Sequence, residues 1–133
     1  MAACYAPNAH FWDPVFQDLT GAEPGQMWRM LTARAPDLSV ELAGHSSDGD
    51  AGTAHWIAHY TFSQTGRKVV NDIHATFRFK DGLIADHRDE FDYKRWARQA
   101  LGIAGLLPPV RKTIQKRART GLDEFIAKQG DAG

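Results

Sequence analysis

The chain has 133 residues, with 16 Lys and Arg against 16 Asp and Glu, and a single Cys. This length suits one domain, and a 43% hydrophobic content is typical of a globular protein with a buried core, so we expect residues 1–133 to form a single unit. Zero net charge and the lack of an apolar run of ~18 residues favour neither a nucleic-acid nor a membrane partner. One Cys excludes a disulfide framework, and no signal-peptide pattern opens the sequence, so we expect a cytoplasmic protein.

Prolines and caps predict the first elements. Residues 1–6 are interpreted as the end of a helix stopped by Pro7, and residues 8–13 as a short strand. The next helix has two possible starts: a capping box from Thr20 to Glu23, or a cap at Glu23 with the following proline at the first helical position.

From Leu38 onward, apolar residues recur at every second position, which is typical of strands. Residues 53–63, 68–80 and 83–92 each alternate in this way, so we predict an antiparallel meander with one buried and one exposed face. The buried face is predicted to carry Trp56, Ala58, Tyr60, Phe62, Val69, Asn71, Ile73, Ala75, Phe77, Phe79, Leu83, Ala85, His87, Asp89 and Phe91.

The turns predict how these strands pair. Residues 65–66 favour a two-residue loop. A two-residue loop at 81–82 would reverse the faces of the last strand, so we predict a three-residue loop with Gly82 in the left-handed conformation. The predicted pairs are Tyr60 with Asn71, Ala58 with Ile73, Trp56 with Ala75, Phe77 with Ala85, Ala75 with His87, Ile73 with Asp89, and Asn71 with Phe91.

Helices are predicted at about 94–101 and 110–128, joined by a loop over 102–109, and residues 102–133 are interpreted as a C-terminal helical extension. A run of Arg and Lys between 111 and 119 is interpreted as a solvated helix face, because the net charge is zero. The last helix has an apolar stripe that consists of Ile114, Ala118, Leu122 and Phe125.

Four polar side chains share the predicted buried face with two small alanines. A buried carboxylate without partners is costly. We therefore expect Asp89 to pair with His87, Asn71, a water or a ligand. The four polar residues are Tyr60, Asn71, His87 and Asp89.

Two motifs resemble the nuclear-transport-factor-2-like superfamily, in its ketosteroid-isomerase and SnoaL-like polyketide-cyclase branch. The segment Tyr-Ala-x-x-Ala-x-x-x-Asp-Pro, which runs from Tyr5 to Pro14, resembles the segment that carries the general base of ketosteroid isomerases. The segment His-Arg-Asp-Glu-Phe-Asp at 87–92 is similar to Trp-Arg-Asp-Tyr-Phe-Asp of limonene epoxide hydrolases. The resemblance covers about residues 4–96.

The resemblance implies an α+β fold: a cone-shaped, cystatin-like roll in which a curved antiparallel sheet wraps over helices and encloses a small-molecule pocket. It implies that Asp13 is a general base, that Tyr5 supports an oxyanion hole and that Asp89 is catalytic. The expected oxyanion Asp falls on Ala75 and an expected Arg-x-Asp motif is missing near Trp56, so neither steroid isomerisation nor limonene-type epoxide hydrolysis is expected.

The family's first helix precedes the position where this sequence begins. We therefore expect the C-terminal helix or a second subunit to cover the open side of the cone, or the natural chain to start upstream of Met1. An uncovered apolar patch of this kind marks an interaction site. We expect a homodimer.

Each candidate catalytic residue also has a purely structural interpretation. Asp13 is either a general base with a raised pKa or a strand-end Asp that accepts backbone N–H bonds. His87 and Asp89 are either an acid–base couple or a satisfied core network. If Asp13 and Asp89 share a buried site, one carboxyl holds a proton or His87 is cationic. The candidate ligand-binding residues are Tyr5, Trp28, Trp56, Tyr60, Asn71, Ala75 and Phe91.

Three classes of function fit these residues. The first is an enzyme that performs isomerisation, cyclisation or hydration on a small apolar molecule, without metal or cofactor. The second is a non-catalytic binder of such a molecule, and the third is a structural or dimerisation domain. His55, His59 and His74 fall on the exposed face without zinc-ligand spacing, so no metal site is expected.

Overall fold

The computed structural model describes residues 2–132. A 3₁₀ turn (Ala2–Cys4) leads directly into strand β1 (Tyr5–Trp12). The predicted helix over 1–6 is therefore wrong where it is described, and its first residue lies outside the described part of the chain. Pro7 does not end a helix. It lies in the stretch where the pairing of β1 is irregular, a place where a strand tolerates a missing N–H.

Strand β2 (Leu19–Thr20) precedes helix α1 (Glu23–Arg34). Neither predicted helix start is fully right, because Ala22 occupies the cap position. Half of the capping box is present: the backbone N–H of Thr20 donates to Oε1 of Glu23 at 3.0 Å.

The antiparallel meander is longer than predicted by one strand: β3 (Ser39–Asp48), β4 (Ala51–Phe62), β5 (Arg67–Lys80) and β6 (Leu83–Glu90). The six strands form one curved sheet in the order β2-β1-β6-β5-β4-β3. One pairing, between β1 and β6, is parallel. The α+β class and the curved sheet over helices are confirmed.

The β4–β5 register differs from the prediction by two residues. Phe62 pairs with Arg67, which makes the loop four residues long, and Ala58 rather than Tyr60 faces Asn71. The N–H groups of residues 65 and 66 both donate to the Phe62 carbonyl, at 3.3 and 2.8 Å, and close this wider turn. A shift of two preserves the faces, so the buried set is unchanged.

The β5–β6 register is also shifted by two. Asp81 and Gly82 form a two-residue turn with φ of 54° and 77°, the pattern of a type I′ hairpin. The face reversal that this turn should cause is cancelled by a bulge at Ala85, which has no partner in the ladder. His87 consequently lies opposite Phe77 instead of Ala75.

Helix α2 (Tyr93–Leu101), a 3₁₀ turn (Ile103–Leu106) and helix α3 (Pro108–Ala132) complete the described chain. The side chain of Asp92 caps α2 by accepting from the Arg95 N–H at 3.2 Å. The predicted apolar stripe of α3 packs on the core: Ile114 and Leu122 are buried. Within residues 2–132, no helix has both the length and the apolar character that a bilayer span requires.

The two faces of the sheet differ in character. The inner face, which carries Asn71 and Asp89, is covered by the helices, whereas the outer face is exposed. The helices leave β3 open, because Val40 and Leu42 pair with inner-face positions of β4 and are still more than half exposed. The buried core that joins the helices and the sheet includes Phe11, Val15, Phe16, Leu19, Met27, Met30, Val69, Tyr93, Trp96, Ala97, Ala100, Ile114 and Leu122.

Candidate functional site

Four polar side chains are buried on the helix-covered side of the sheet: Asp13, Asn71, His87 and Asp89, each at most 9% exposed. Three of them come from neighbouring strands. Asn71 and Asp89 share the inner face, as the alternation predicts, although their exact partners differ. Asp13 directly follows β1, the strand on the other side of β6.

A continuous line of hydrogen bonds runs through this group from helix α1 to strand β6. Nε1 of Trp28 lies 2.8 Å from the Tyr5 hydroxyl, which lies 2.8 Å from Nδ1 of His87. Nε2 of His87 lies 2.6 Å from Oδ1 of Asp89. The four residues are up to 84 positions apart in sequence and meet because β1 lies between α1 and β6.

The two ends of this line fix its direction. An indole N–H only donates and a carboxylate only accepts. His87 therefore donates from Nε2 to Asp89 and accepts at Nδ1 from the Tyr5 hydroxyl, whose oxygen accepts from Trp28. Burial raises the pKa of the Tyr5 hydroxyl well above its usual value, so Tyr5 keeps its proton in this role.

Aromatic rings enclose the imidazole of His87. Its ring centroid lies 5.0 Å from that of Phe11, 4.4 Å from that of Phe77 and 6.4 Å from that of Trp28. Phe11 is absent from the residues predicted for the site, and Phe77 is predicted only as an aromatic residue of the buried face that suits either the core or a ligand pocket. The position of Phe77 depends on the bulge at Ala85, which the alternation pattern does not reveal. Phe11 could be found from β1 alone, because it alternates with the buried Ala9 and Asp13.

Asp13 lies in the turn after β1. Its Oδ1 accepts hydrogen bonds from the backbone N–H groups of Val15 at 2.8 Å and Phe16 at 2.6 Å. Burial, helped by the negative charge of Asp89, raises the pKa of Asp13 to about 7, although backbone N–H donors, foremost those of Phe16 and Val15, oppose this rise. The N–H groups of Val15 and Phe16 both bind Oδ1 rather than Oδ2.

Tyr60 lies near this carboxyl group, and Asn71 lies on β5, the strand next to that of Tyr60. The Tyr60 hydroxyl accepts from Nε1 of Trp96 at 2.7 Å, and burial together with the negative charge of Asp13 raises its pKa. Asn71 lies opposite Ala58, a residue with a small side chain. Asn71 is 7% exposed.

The other candidate binding residues occupy two places. Trp56 lies 6.0 Å from Trp28 in ring centroids, and Ala75 lies opposite Asp89. Both therefore adjoin the polar group. Phe91 follows β6 and packs 6.5 Å from Trp96, at the edge of a separate groove.

Two surface grooves, of about 430 and 460 Å³, lie outside this polar group, and neither is the predicted internal pocket. The first lies on the outer face, where the guanidinium of Arg88 stacks 4.0 Å above the ring of Trp12. The second lies between the end of β6 and the start of α3. None of the four buried polar side chains lines either groove.

Helix α3 closes the side of the molecule beside Asp13. The side-chain amide of Gln115 donates to the backbone carbonyl of Pro14 at 3.0 Å, and Arg119 forms an ion pair with Glu23 at the start of α1. The sequence predicts that the C-terminal helix or a second subunit covers the open side of the cone. In the structure, the C-terminal helix α3 of the same chain covers it.

No match to the sequence is found among curated proteins. Several solved structures share the fold. A hypothetical protein from Catenulispora acidiphila with a ketosteroid isomerase-like fold, in complex with trimethylamine, has a TM-score of 0.67 and 16% identity over 80% of this chain and 84% of its own. TsrD from Streptomyces laurentii has a TM-score of 0.63 and 24% identity over 76% and 80% of the two chains. IdmH from Streptomyces antibioticus, a protein proposed to be a polyketide cyclase, has a TM-score of 0.59 and 21% identity over 73% and 81%.

The family model of the SnoaL-like domain matches residues 1–87, which include strands β1 to β5 and most of β6. Three of the four buried polar residues lie in the matched part, and Asp89 lies just beyond it. This match confirms the relationship that the Tyr5–Pro14 segment indicates. The chain belongs to the SnoaL-like domain family.

Proposed function

We propose that the chain binds a small apolar molecule beside Asp13, Asn71 and Asp89 and catalyses a proton transfer on it, of the kind that isomerises or cyclises a carbonyl compound. The observation that carries this proposal is the Asp13 carboxyl group. It is buried, one of its oxygens is fixed by the backbone N–H groups of Val15 and Phe16, and burial raises its pKa to about 7. A general base works best when its pKa lies near the working pH.

Asp89 supports this role through charge. Two carboxyl groups in one low-dielectric region do not both ionise cheaply, and the charge of Asp89 raises the pKa of Asp13. In this proposal Asp89 is held by its hydrogen bond with His87, whereas Asp13 gains and loses the proton. His87 is a positioning residue, because both of its ring nitrogens are already engaged by Tyr5 and Asp89.

The surroundings suit an apolar substrate with a single polar handle. Trp28 and Trp56 supply aromatic surface, and Ala58 and Ala75 place small side chains opposite Asn71 and Asp89. The side-chain amide of Asn71 can donate to a substrate carbonyl. Binding sites of this kind are mostly apolar with a few convergent polar groups.

One observation favours the alternative that the chain binds such a molecule without reacting with it. The line from Trp28 to Asp89 is completely hydrogen-bonded, as expected for a core network that only fixes structure. Under this alternative Asn71 and the aromatic rings bind the ligand, and Asp13 is only the cap of its own turn.

Hydrogen exchange at carbon tests the proposal with a model ketone, so the natural substrate is not needed. The full chain is incubated in D₂O with β-tetralone, a small apolar ketone with acidic α-hydrogens, and the loss of the α-proton signals is followed by proton NMR. We expect the wild-type chain to accelerate exchange and Asp13→Asn to lower the enzyme-dependent rate by about 10²–10⁴-fold. Glu90→Gln, which changes an exposed carboxylate on β6, is the control and keeps the wild-type rate.

The same samples distinguish the two functions. If the ketone perturbs the amide signals of residues around Asn71 but no variant exchanges faster than the buffer, the chain is a binder. If wild type and Asp13→Asn exchange at the same accelerated rate, Asp13 is not the base and the proposal is wrong.

We also propose that the chain forms a homodimer in which a second copy packs against β3. Val40 and Leu42 are 56% and 59% exposed on the face that the helices leave open, and an exposed apolar edge strand is a common site of self-association. Analytical sedimentation of wild type and of Leu42→Lys measures the oligomeric state: we expect wild type to be a dimer and the charged variant to be a monomer.

We also propose a cytoplasmic location and a single domain over 1–133, with 102–133 as its C-terminal extension.

A further inference from the structure

Three side chains with metal-binding atoms meet on the outer face of the sheet. His55 on β4 lies directly opposite His74 on β5, and Asp72 precedes His74 by two positions and therefore points to the same side. All three residues alternate with inner-face positions such as Asn71. The cluster is therefore separated from the candidate functional site by the thickness of the sheet.

The ligand atoms of this cluster converge. Nε2 of His55 lies 2.6 Å from Oδ1 of Asp72, and Nε2 of His74 lies 3.6 Å from the same oxygen. The two imidazole rings stack with centroids 4.3 Å apart and planes 11° apart. One donor atom from each residue falls within 4.8 Å of the other two. Donors of a tetrahedral metal centre with bonds of about 2.0–2.2 Å lie about 3.3–3.6 Å apart. Because an imidazole binds a metal in the plane of its ring and the two rings are nearly parallel, at least one ring turns about its Cβ–Cγ bond to direct both nitrogens at one ion.

The backbone holds these residues in place, and solvent reaches them. β4 and β5 are interior strands of the sheet, so both are paired on both sides. On the third strand, Gly44 lies opposite His55, and a Cβ there would meet nothing within 4 Å. The side chains of His55, Asp72 and His74 are 37%, 47% and 68% exposed, which leaves room for water to complete a coordination shell.

The ligand types select a class of cation. Imidazole nitrogen is a good ligand for zinc, nickel and copper, whereas magnesium and calcium prefer all-oxygen sites. Two imidazoles with one carboxylate and open positions match a three-protein-ligand site that keeps water. The sequence predicts no metal site, because the histidines fall on the exposed face without zinc-ligand spacing. The β4–β5 register nevertheless brings His55 to Asp72 and His74, which spacing along the sequence does not reveal.

We propose that His55, Asp72 and His74 together bind one divalent transition-metal cation of the zinc class on the outer face of the sheet. In this site the cation takes the place between His55 and Asp72 that a proton occupies in their 2.6 Å contact. The proposal does not depend on the proposed function, because the reaction assigned to Asp13 involves no group on this face.

The test is isothermal titration of the full, untagged chain with Zn²⁺, in a Cys4→Ser background because Cys4 is an exposed free thiol. We expect saturation at one ion per chain, and a loss of affinity of about tenfold or more in His55→Ala and in His74→Ala, since even an outer-shell partner of a metal is worth about 10–100-fold. His59→Ala is the matched control: it removes an exposed imidazole from the same face of β4 and keeps wild-type affinity. Mg²⁺ should give no saturable binding.

A second measurement locates the ion. Substoichiometric Ni²⁺, which is paramagnetic, should broaden the amide signals of residues 55, 72 and 74 before those around residue 59. All three alanine variants change exposed side chains, so their melting temperatures without metal should match the parent within a few degrees. Wild-type Zn²⁺ affinity in both His55→Ala and His74→Ala, or no saturable Zn²⁺ binding by the parent, would overturn the proposal.

Discussion

His87 and Asp89 lie two positions apart on β6, and their side chains form a 2.6 Å hydrogen bond while only 5% and 3% exposed. Side chains two apart on a strand share a face, but neighbours on a regular strand point in parallel and do not usually bond so closely. Here the rings of Phe11 and Phe77 enclose the imidazole from two sides. The pair is therefore fixed in the core and is expected to affect stability as well as ligand binding.

The first prediction concerns this pair. Asp89→Ala leaves the buried Nε2–H of His87 without an acceptor, and we expect it to lower the free energy of unfolding by about 3 kcal/mol. Asp89→Asn keeps an acceptor oxygen and should recover part of this loss. Urea denaturation measures both, with Glu90→Ala as the control: it breaks only the exposed pair with Arg88 and should cost less than about 1 kcal/mol. An equal loss of unfolding free energy in Asp89→Ala and Glu90→Ala would show that the buried pair stabilises the fold no more than the exposed pair does.

Alternation alone predicts the buried face of the sheet, but not how the strands align on it. Asn71 and Asp89 are on the same face because a shift of two residues does not change the side on which a residue lies. The shift in the second hairpin has a local cause. An Asp-Gly pair favours the tight turn that is observed, and the bulge at Ala85 that restores the faces has no signature in an alternating sequence.

The part of the site that the sequence does not predict consists of contacts between residues far apart in the chain. The hydrogen bond of Tyr5 to His87 spans 82 positions, and neither the alternation nor the family resemblance, which assigns Tyr5 only to an oxyanion hole, predicts it. The donor from Trp28 could not be placed, because the packing angle of α1 on β1 decides which ring reaches the hydroxyl. The raised pKa of Asp13 depends on burial by the turn and by α3, which are tertiary effects as well.

The second prediction is a pH dependence of stability caused by Asp13. Its pKa rises from about 4 in the unfolded chain to about 7 in the folded chain. Between these values the folded state holds one more proton than the unfolded state, so stability falls as pH rises through this window and levels off above it. A shift of about 3 units corresponds to at most about 4 kcal/mol.

Comparison of variants isolates this effect from other titrations. The difference in unfolding free energy between wild type and Asp13→Asn should decline by several kcal/mol from about pH 4 to about pH 7, because Asn keeps the acceptor oxygen for Val15 and Phe16 but does not ionise. Glu90→Gln should give a flat difference over the same range. A flat difference for Asp13→Asn as well would mean that its pKa is not raised.

The third prediction concerns the close approach of Gly105 to helix α2. A Cβ on Gly105 would lie 2.6 Å from the backbone oxygen of Ala97 and 3.0 Å from Cβ of Leu101. Because a backbone atom cannot rotate away, we expect Gly105→Ala to lower the free energy of unfolding by about 1–3 kcal/mol. Gly44→Ala, where a Cβ meets nothing within 4 Å, is the matched control and should change stability by less than about 0.5 kcal/mol.

The last prediction tests whether α3 is part of the folded unit. Leu122 is 0% exposed in the core, whereas Leu107, just before α3, is 58% exposed. Removing a buried leucine side chain leaves a cavity, so we expect Leu122→Ala to cost about 2–5 kcal/mol and Leu107→Ala to cost less than about 0.5 kcal/mol. Because α3 also covers the turn that holds Asp13 through Gln115, Leu122→Ala should admit water there and flatten the pH dependence described above. Equal, small losses in both leucine variants would mean that α3 is not packed on the core, and an unchanged pH slope in a destabilised Leu122→Ala would mean that Asp13 is buried without its help.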